Sequence, residues 1–132
     1  MSDRPQHRSV LIVEDNVTMR ALIRSLVEGV GSVVHECADG ESAVAYCARQ
    51  HPDLVLMDVK LAGMDGIAAT RAIRRSDPGA RIIIVTEQRD EAYRRAATAA
   101  GARGFLLKEN LLELPALLTE ASAAAPEAGD EP

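Results

Sequence analysis

Leu54-Val-Leu-Met-Asp58 and Ser9-Val-Leu-Ile-Val-Glu-Asp15 are two short apolar runs, each broken off by acid. Runs of four or five aliphatic residues with no polar alternation read as strands buried on both faces, the pattern of central strands in a parallel sheet. Ligands of open α/β sheets bind outside the carboxyl ends of such strands. As neighbouring central strands the two runs bring Glu14, Asp15 and Asp58 to one edge. Carboxylates crowded there repel one another unless one takes a proton or a cation sits between them, and hard oxygen donors suit Mg2+. The pattern points to phosphoryl chemistry.

Outward from these runs, strand-like apolar segments alternate with segments of helical period, which reads as repeated βα units. Strands are predicted near 9–14, 33–37, 54–58, 81–86 and 104–107. Helices are predicted near 16–29, 40–50, 66–76 and 89–100, with a last one from about Pro115, whose fixed φ suits a first helical turn. Gly31, Gly79 and Gly101 stand just past helix ends, where a left-handed residue is often needed. Asp39-Gly40 and Asp65-Gly66 read as turns into helices, and Asp53 as a turn residue. The whole is an α/β chain of five βα units.

The 132 residues, 47% of them hydrophobic, fit one domain with a sizeable core and leave no room for a second. A net charge of -5 and scattered arginines argue against direct nucleic-acid binding, which needs a concentrated basic face. No apolar run approaches membrane-spanning length, and the polar start Met1 to Arg8 does not resemble a signal peptide, so a cytoplasmic protein away from the membrane is expected. Cys37 and Cys47 lack CxxC spacing and read as buried reduced thiols. Residues 1–7 are expected to be a flexible N-terminus, 8–121 the folded domain, and 122–132 a flexible acidic tail too poor in apolar surface to pack.

Four ordered motifs carry a resemblance: Val13-Glu-Asp-Asn16, Pro52-Asp-Leu-Val-Leu-Met-Asp58 followed by Met64-Asp-Gly66, Ile84-Val-Thr86, and Gly104-Phe-Leu-Leu-Lys108. Together they resemble the receiver domain of two-component response regulators, and are similar to its single-domain chemotaxis type, over roughly residues 8 to 121. The resemblance implies a flavodoxin-like (βα)5 fold, a doubly wound parallel sheet with strand order 2-1-3-4-5. It implies that Asp58 is the phosphoacceptor, taking a phosphoryl group from a sensor histidine kinase, a histidine phosphotransfer protein or a small phosphodonor. Glu14, Asp15, Asp58 and the backbone carbonyl of Lys60 are the implied Mg2+ ligands, and Lys108 and Thr86 the implied phosphoryl-binding groups. Thr86 and Phe105 are the implied switch, which alters the face formed by the fourth helix, fifth strand and fifth helix. Partners implied are an unknown output protein and a homodimer through that face. No dedicated enzyme is implied beyond self-catalysed phosphotransfer to the aspartate and hydrolysis from it.

The residues can also be weighed on their own chemistry. Two lysines, Lys60 and Lys108, stand against thirteen arginines, and a compact ammonium can approach a small phosphoryl group where a planar guanidinium cannot. The plainer reading of Lys108 is a solvated strand-end charge or a partner for Asp58. Glu14, Asp15 and Asn16 also suit a helix N-terminus, though two adjacent acids exceed what one cap requires. Thr86 alone fits ordinary β propensity, and Phe105 a core aromatic. Arg89, Asp90, Tyr93, Arg94 and Phe105 form a candidate partner face.

Three positions depart from the family pattern. Glu87 follows Thr86 where a small residue is usual, and an acid there can repel an incoming phosphodonor or water. Glu109 replaces the proline that commonly follows the lysine, so a cis bond there is not expected. Ala62 replaces a frequent proline and loosens the loop after Asp58. A phosphorylation-independent receiver-like adaptor is the alternative that Glu87 favours. A phosphatase with an aspartate nucleophile is another, although Asp58-Val-Lys60 lacks the second Asp of the haloacid dehalogenase type. The resemblance of Gly104 to Asn110 to receivers joined to DNA-binding domains also allows a piece of a longer regulator.

Overall fold

The computed structural model describes residues 9–61 and 63–124, the last five by backbone alone. The expectations for residues 1–7, for Ala62 and for the tail from 125 onward fall outside the described residues. The elements are β1 (Ser9–Val13), α1 (Val17–Glu28), β2 (Val33–Cys37), α2 (Gly40–Gln50), β3 (Leu54–Met57), α3 (Gly66–Ser76), β4 (Ile82–Thr86), α4 (Glu91–Ala100), β5 (Gly104–Leu107), a 3-10 segment (Lys108–Glu113) and α5 (Leu114–Ala124). All pairings are parallel, in the order β2-β1-β3-β4-β5. The flavodoxin-like arrangement expected from the resemblance is the fold observed.

Alternation along the strands builds two separate cores. Val10, Ile12, Leu54, Leu56, Ile83, Val85 and Leu106 face α1 and α5, meeting Ile23, Val27, Leu114 and Leu118. Leu11, Val13, Val55, Met57, Ile82 and Ile84 face the other way and meet Ala43, Cys47, Ala69, Ile73 and Ala97 of α2, α3 and α4. A helix layer on each side is what unbroken apolar strands require, since neither face can be left to water. The register then sets the site. Val13 pairs with Met57, so Glu14 and Asp58, each one residue further on, emerge level with each other. Thr86 pairs with Leu107, which sets Lys108 one step beyond it.

Helix starts follow the sequence closely. Asn16, Asp39 and Asp65 cap α1, α2 and α3 by accepting the N–H of Met19, Ser42 and Ala68 at 2.8, 2.7 and 2.8 Å. The helix ends differ in part. Gly31 (φ 88°) and Gly101 (φ 103°) are left-handed as expected, but Gly79 is not. Asp77 caps α3 with φ -142°, and its carboxylate accepts the Gly79 N–H at 3.1 Å. The left-handed cap of α2 is His51 (φ 48°), a residue with a Cβ that no glycine signal announces. The 3-10 segment after Lys108 was not expected either; it tightens the chain between β5 and α5 and carries no sequence signature of its own.

Gly66 holds the loop after Asp58 by close approach. Its N–H donates to the Val59 carbonyl at 2.8 Å, and a Cβ built there would lie 1.8 Å from the Asp58 carbonyl oxygen. Backbone has to move to admit it. Gly66→Ala is therefore expected to cost about 2 kcal/mol or more in urea unfolding, whereas Gly29→Ala, whose Cβ meets nothing closer than 3.4 Å, stays within about 1 kcal/mol of wild type. Equal effects at both positions would contradict this packing.

Candidate functional site

The carboxyl edge of the sheet gathers most of the polar groups that the protein buries. Glu14 is 1% exposed, Asp58 5% and Thr86 1%, while Asp15 stands exposed at the rim. Carboxylate oxygens of Glu14, Asp15 and Asp58 lie within 4.8 Å of one another. Lys108 reaches between the two buried ones, its Nζ 2.8 Å from Glu14 Oε1 and 3.3 Å from Asp58 Oδ2. This settles one point the sequence left open: Lys108 is an ion-pair partner inside the site and not a solvated strand-end charge. Of the other expected residues, Lys60 approaches through its backbone N–H, 3.4 Å from Asp58 Oδ1, with its side chain exposed.

Backbone geometry holds the acids in place. The Asp58 N–H donates to the Val13 carbonyl at 3.1 Å, extending the β1–β3 ladder one residue past the strands. The Glu14 N–H donates to the Cys37 carbonyl at 3.1 Å, and Glu14 Oε2 accepts the Asn16 N–H at 3.1 Å. Glu14 Oε1 has the Lys108 ammonium as its one partner among the described residues, which leaves a buried anionic oxygen short of partners. That shortfall, three converging oxygen donors and an exposed Asp15 at the mouth fit a hard divalent cation such as Mg2+.

Electrostatics follow from this packing. Burial, and then the neighbouring Glu14 charge, raise the Asp58 pKa, with Lys108 opposing the shift. Burial works to lower the Lys108 pKa, but the Glu14 hydrogen bond and the Asp58 charge outweigh it and leave it raised. Lys108 is thus held cationic. Burial pushes the Cys47 thiol up to about 12, and Cys37 is raised mainly by burial as well; both are free, in line with inert reduced thiols.

Thr86 accepts the Gln88 N–H at 3.2 Å through its hydroxyl oxygen. Phe105 is half-buried under the Arg94 guanidinium, which sits 4.7 Å from the ring centroid. Glu87 is exposed beside Thr86. Glu109 forms an ion pair with Arg89, joining the loop after β4 to the residue after Lys108. The peptide bond between Lys108 and Glu109 is trans. Sequence reasoning missed three supports: Gly66 beneath Asp58, Glu41, whose carboxylate accepts the Met64 N–H at 3.3 Å in the loop after β3, and Arg20, whose guanidinium donates to the Glu14 carbonyl at 2.7 Å. Of these Gly66 leaves a trace as the turn glycine of Asp65-Gly66 and Arg20 as a cation in a helix's first turn, while Glu41 leaves none. A hollow of about 370 Å³ at the opposite edge, lined by His51, Asp53, Asp77 and Arg81, gathers no comparable cluster.

Residues 10–119 match the family model described as response regulator receiver domain. The chain belongs to that family. This receiver is 38% identical over 101 residues to the chemotaxis protein CheY of Halobacterium salinarum, a match spanning 76% of this chain and 84% of that protein. It is also 38% identical over 102 residues to the response regulator UvrY of Escherichia coli, where the match spans 76% of this chain but 47% of UvrY, about half its length. Among solved structures, the receiver domain of the sensor histidine kinase PA1611 from Pseudomonas aeruginosa superposes with a TM-score of 0.81 at 32% identity, covering 89% of this chain and 98% of that one. In that structure a magnesium ion is coordinated in the active-site cleft. Among the described residues of this receiver no helix is long and apolar enough to cross a membrane.

Two adjoining buried carboxylates make the ion-free site self-repelling. Asp58→Asn removes one charge and leaves Lys108 paired with Glu14. In EDTA at pH 7.5 the variant is expected to melt about 3–5 °C above wild type, the shift that ~1 kcal/mol produces in a domain of this size. The gap narrows as pH falls toward the ordinary carboxyl range, because the wild-type Asp58, its pKa raised, takes up a proton and sheds the repulsion. Thermal scans across pH check both the sign and the trend.

Proposed function

We propose that Asp58 accepts a phosphoryl group and that the modified domain signals by binding another protein. The observation that carries this reading is Lys108 Nζ held between Glu14 and Asp58 at 2.8 and 3.3 Å, beside a third carboxylate within 4.8 Å. A nucleophilic carboxylate, a fixed cation and an acid cluster together serve phosphoryl transfer, which depends mainly on positioning and charge neutralisation. Mg2+ would be held by Glu14, Asp15, Asp58 and the backbone carbonyl of Lys60, and when bound supplies positive charge for the phosphoryl oxygens and keeps Asp58 ionised.

The chain's own residues then act in turn. An Asp58 carboxylate oxygen attacks phosphorus, forming the acyl phosphate as the P–N bond to a donor histidine breaks and the departing imidazole takes a proton. Lys108 transfers its contact from the carboxylate to the phosphoryl oxygens, staying cationic throughout. Thr86, one residue level with Leu107, offers its hydroxyl to the same group. Its movement, with Phe105 turning inward from beneath Arg94, alters the face of α4, β5 and α5. Slow self-catalysed hydrolysis resets the site, and Glu87 at its rim is suited to slow both donor entry and water attack.

The donor class is a sensor histidine kinase or a histidine phosphotransfer protein, the output an as yet unknown protein, and a homodimer through the α4 to α5 face is the self-association this surface suits. The domain proposed to do this is 8–121, acting in the cytoplasm. Exposed Glu87 also favours a second reading, a receiver-like adaptor that binds its partner without phosphorylation.

Intact mass after incubation with acetyl phosphate decides between them. A single phosphoryl adduct that requires Mg2+ and is lost in Asp58→Asn is expected. No adduct, with a known receiver labelled in parallel, supports the adaptor. Mg2+ affinity by calorimetry is expected to rise with pH and to level off above the raised Asp58 pKa, since proton and cation compete for the same oxygen; a flat profile would contradict Asp58 as a ligand. Tyr93→Ala with Arg94→Ala is expected to abolish phosphorylation-dependent binding or dimerisation while leaving adduct formation intact.

A further inference from the structure

Arg20 sits in the first turn of α1, where the exposed N–H groups already make a positive end and a cation is disfavoured by about 0.3–1 kcal/mol. No acid balances it within that turn. Helix energetics therefore do not account for its placement, but its contacts do. Nη1 donates to the Glu14 carbonyl at 2.7 Å, and Nε pairs with Glu36 Oε1 of β2 at 3.1 Å. The other Glu36 oxygen takes Arg24 Nη1 at 2.7 Å, and Arg24 Nε meets Glu28 at 2.9 Å. Arg24 and then Arg20 hold the Glu36 carboxyl below its usual range against the opposing effect of burial.

We propose that Arg20 is a positioning residue for the acidic site, clamping the peptide between Glu14 and Asp15 from outside while Glu36 fixes the clamp. With Arg20 in place, every polar group of Glu14 has a partner: N–H to Cys37, C=O from Arg20, Oε2 from Asn16, and Oε1 facing Lys108. Asp15 leaves the chain from the clamped peptide, so its carboxylate starts from a fixed point beside Asp58. Without the clamp, acids that repel one another spread apart, and a cation has to gather them again before it binds. A planar guanidinium suits the task because its fork serves a carbonyl and a carboxylate at once. Arg24 shares Glu36 but touches no group of the site, and its side chain is 40% exposed against 20% for Arg20. The pair thus supplies its own control, since both carry the same charge and only one reaches Glu14.

This inference rests on the Mg2+ reading above, and the test separates the two. Mg2+ binding is measured by calorimetry on wild type, Arg20→Gln, Arg24→Gln and Arg20→Lys, with unfolding of each followed in EDTA. Arg20→Gln is expected to weaken Mg2+ about tenfold, in the range for loss of a group that orients metal ligands, while Arg24→Gln changes it less than threefold. Arg20→Lys, which keeps the charge and can still donate to the carbonyl, is expected to recover most of the loss. Should Arg20→Gln fail to fold, Glu36→Gln frees the clamp more gently and is expected to cost a few-fold in affinity. Equal affinity in wild type and Arg20→Gln, or in the fallback case between wild type and Glu36→Gln, overturns the proposal. An equal loss in Arg24→Gln, or a lysine variant no better than glutamine, does the same. A wild type that binds no Mg2+ overturns the metal reading itself and this inference with it.

Discussion

Mutual repulsion between Glu14 and Asp58 is the constraint around which the site is organised. The β1–β3 register sets them level at the edge of a sheet whose strands are buried on both faces, and neither carboxylate has water enough to screen the other. Lys108 answers part of that charge, with a single ammonium set between two buried anions. One cation against two nearby acids, and Asp15 at the rim, leaves the edge short of positive charge. Such a site is poised to gain from whatever brings more, a divalent ion or a proton, and that is why its pKa values and its chemistry are tied together.

The supports of this edge come from several directions and none of them is chemically reactive. Gly66 lets the chain after Asp58 fold back against its own carbonyl, Glu41 of α2 ties down Met64 in the same loop, and Asn16 both caps α1 and donates to Glu14. Capping and ligand orientation are served by one residue, which explains how so short a segment as Glu14-Asp15-Asn16 satisfies a helix terminus and an acidic cluster together. The membership of the chain in the receiver family accords with this economy: the fold positions the acids, and few further groups are needed.

Two departures from the family pattern stand next to residues at the carboxyl edge, Glu87 after Thr86 and Glu109 after Lys108. Glu109 stands in the place of a proline and pairs with Arg89 from the loop after β4, so the ends of β4 and β5 are linked by charge where a rigid ring would otherwise set the chain. The following 3-10 segment turns the backbone directly into α5. Glu87 adds exposed negative charge next to Thr86. Arg89, Glu109 and Glu87 are all exposed, so their influence is on approach and loop geometry more than on stability.

Five strands, five helices and the placement of the three carboxylates, Lys108 and Thr86 at strand ends were legible in the amino-acid sequence, because apolar runs and helical period are local patterns that need no knowledge of neighbours; the strand order came from the resemblance. Buried Cys47 and the Asp caps were legible for the same reason, whereas Cys37, read as buried, is only half-buried. The left-handed His51, the cap at Asp77 in place of Gly79, and the 3-10 segment between β5 and α5 were not, since each is settled by packing and carries no residue signature. Tertiary structure alone decided that Lys108 lies between Glu14 and Asp58, that Gly66 must lack a side chain, and that Arg20 reaches back to the Glu14 carbonyl. Those facts depend on register and on contacts between residues far apart in the chain. A single sequence determines which groups stand at the sheet edge; only the folded backbone fixes the distances between them, and with charges those distances decide the chemistry.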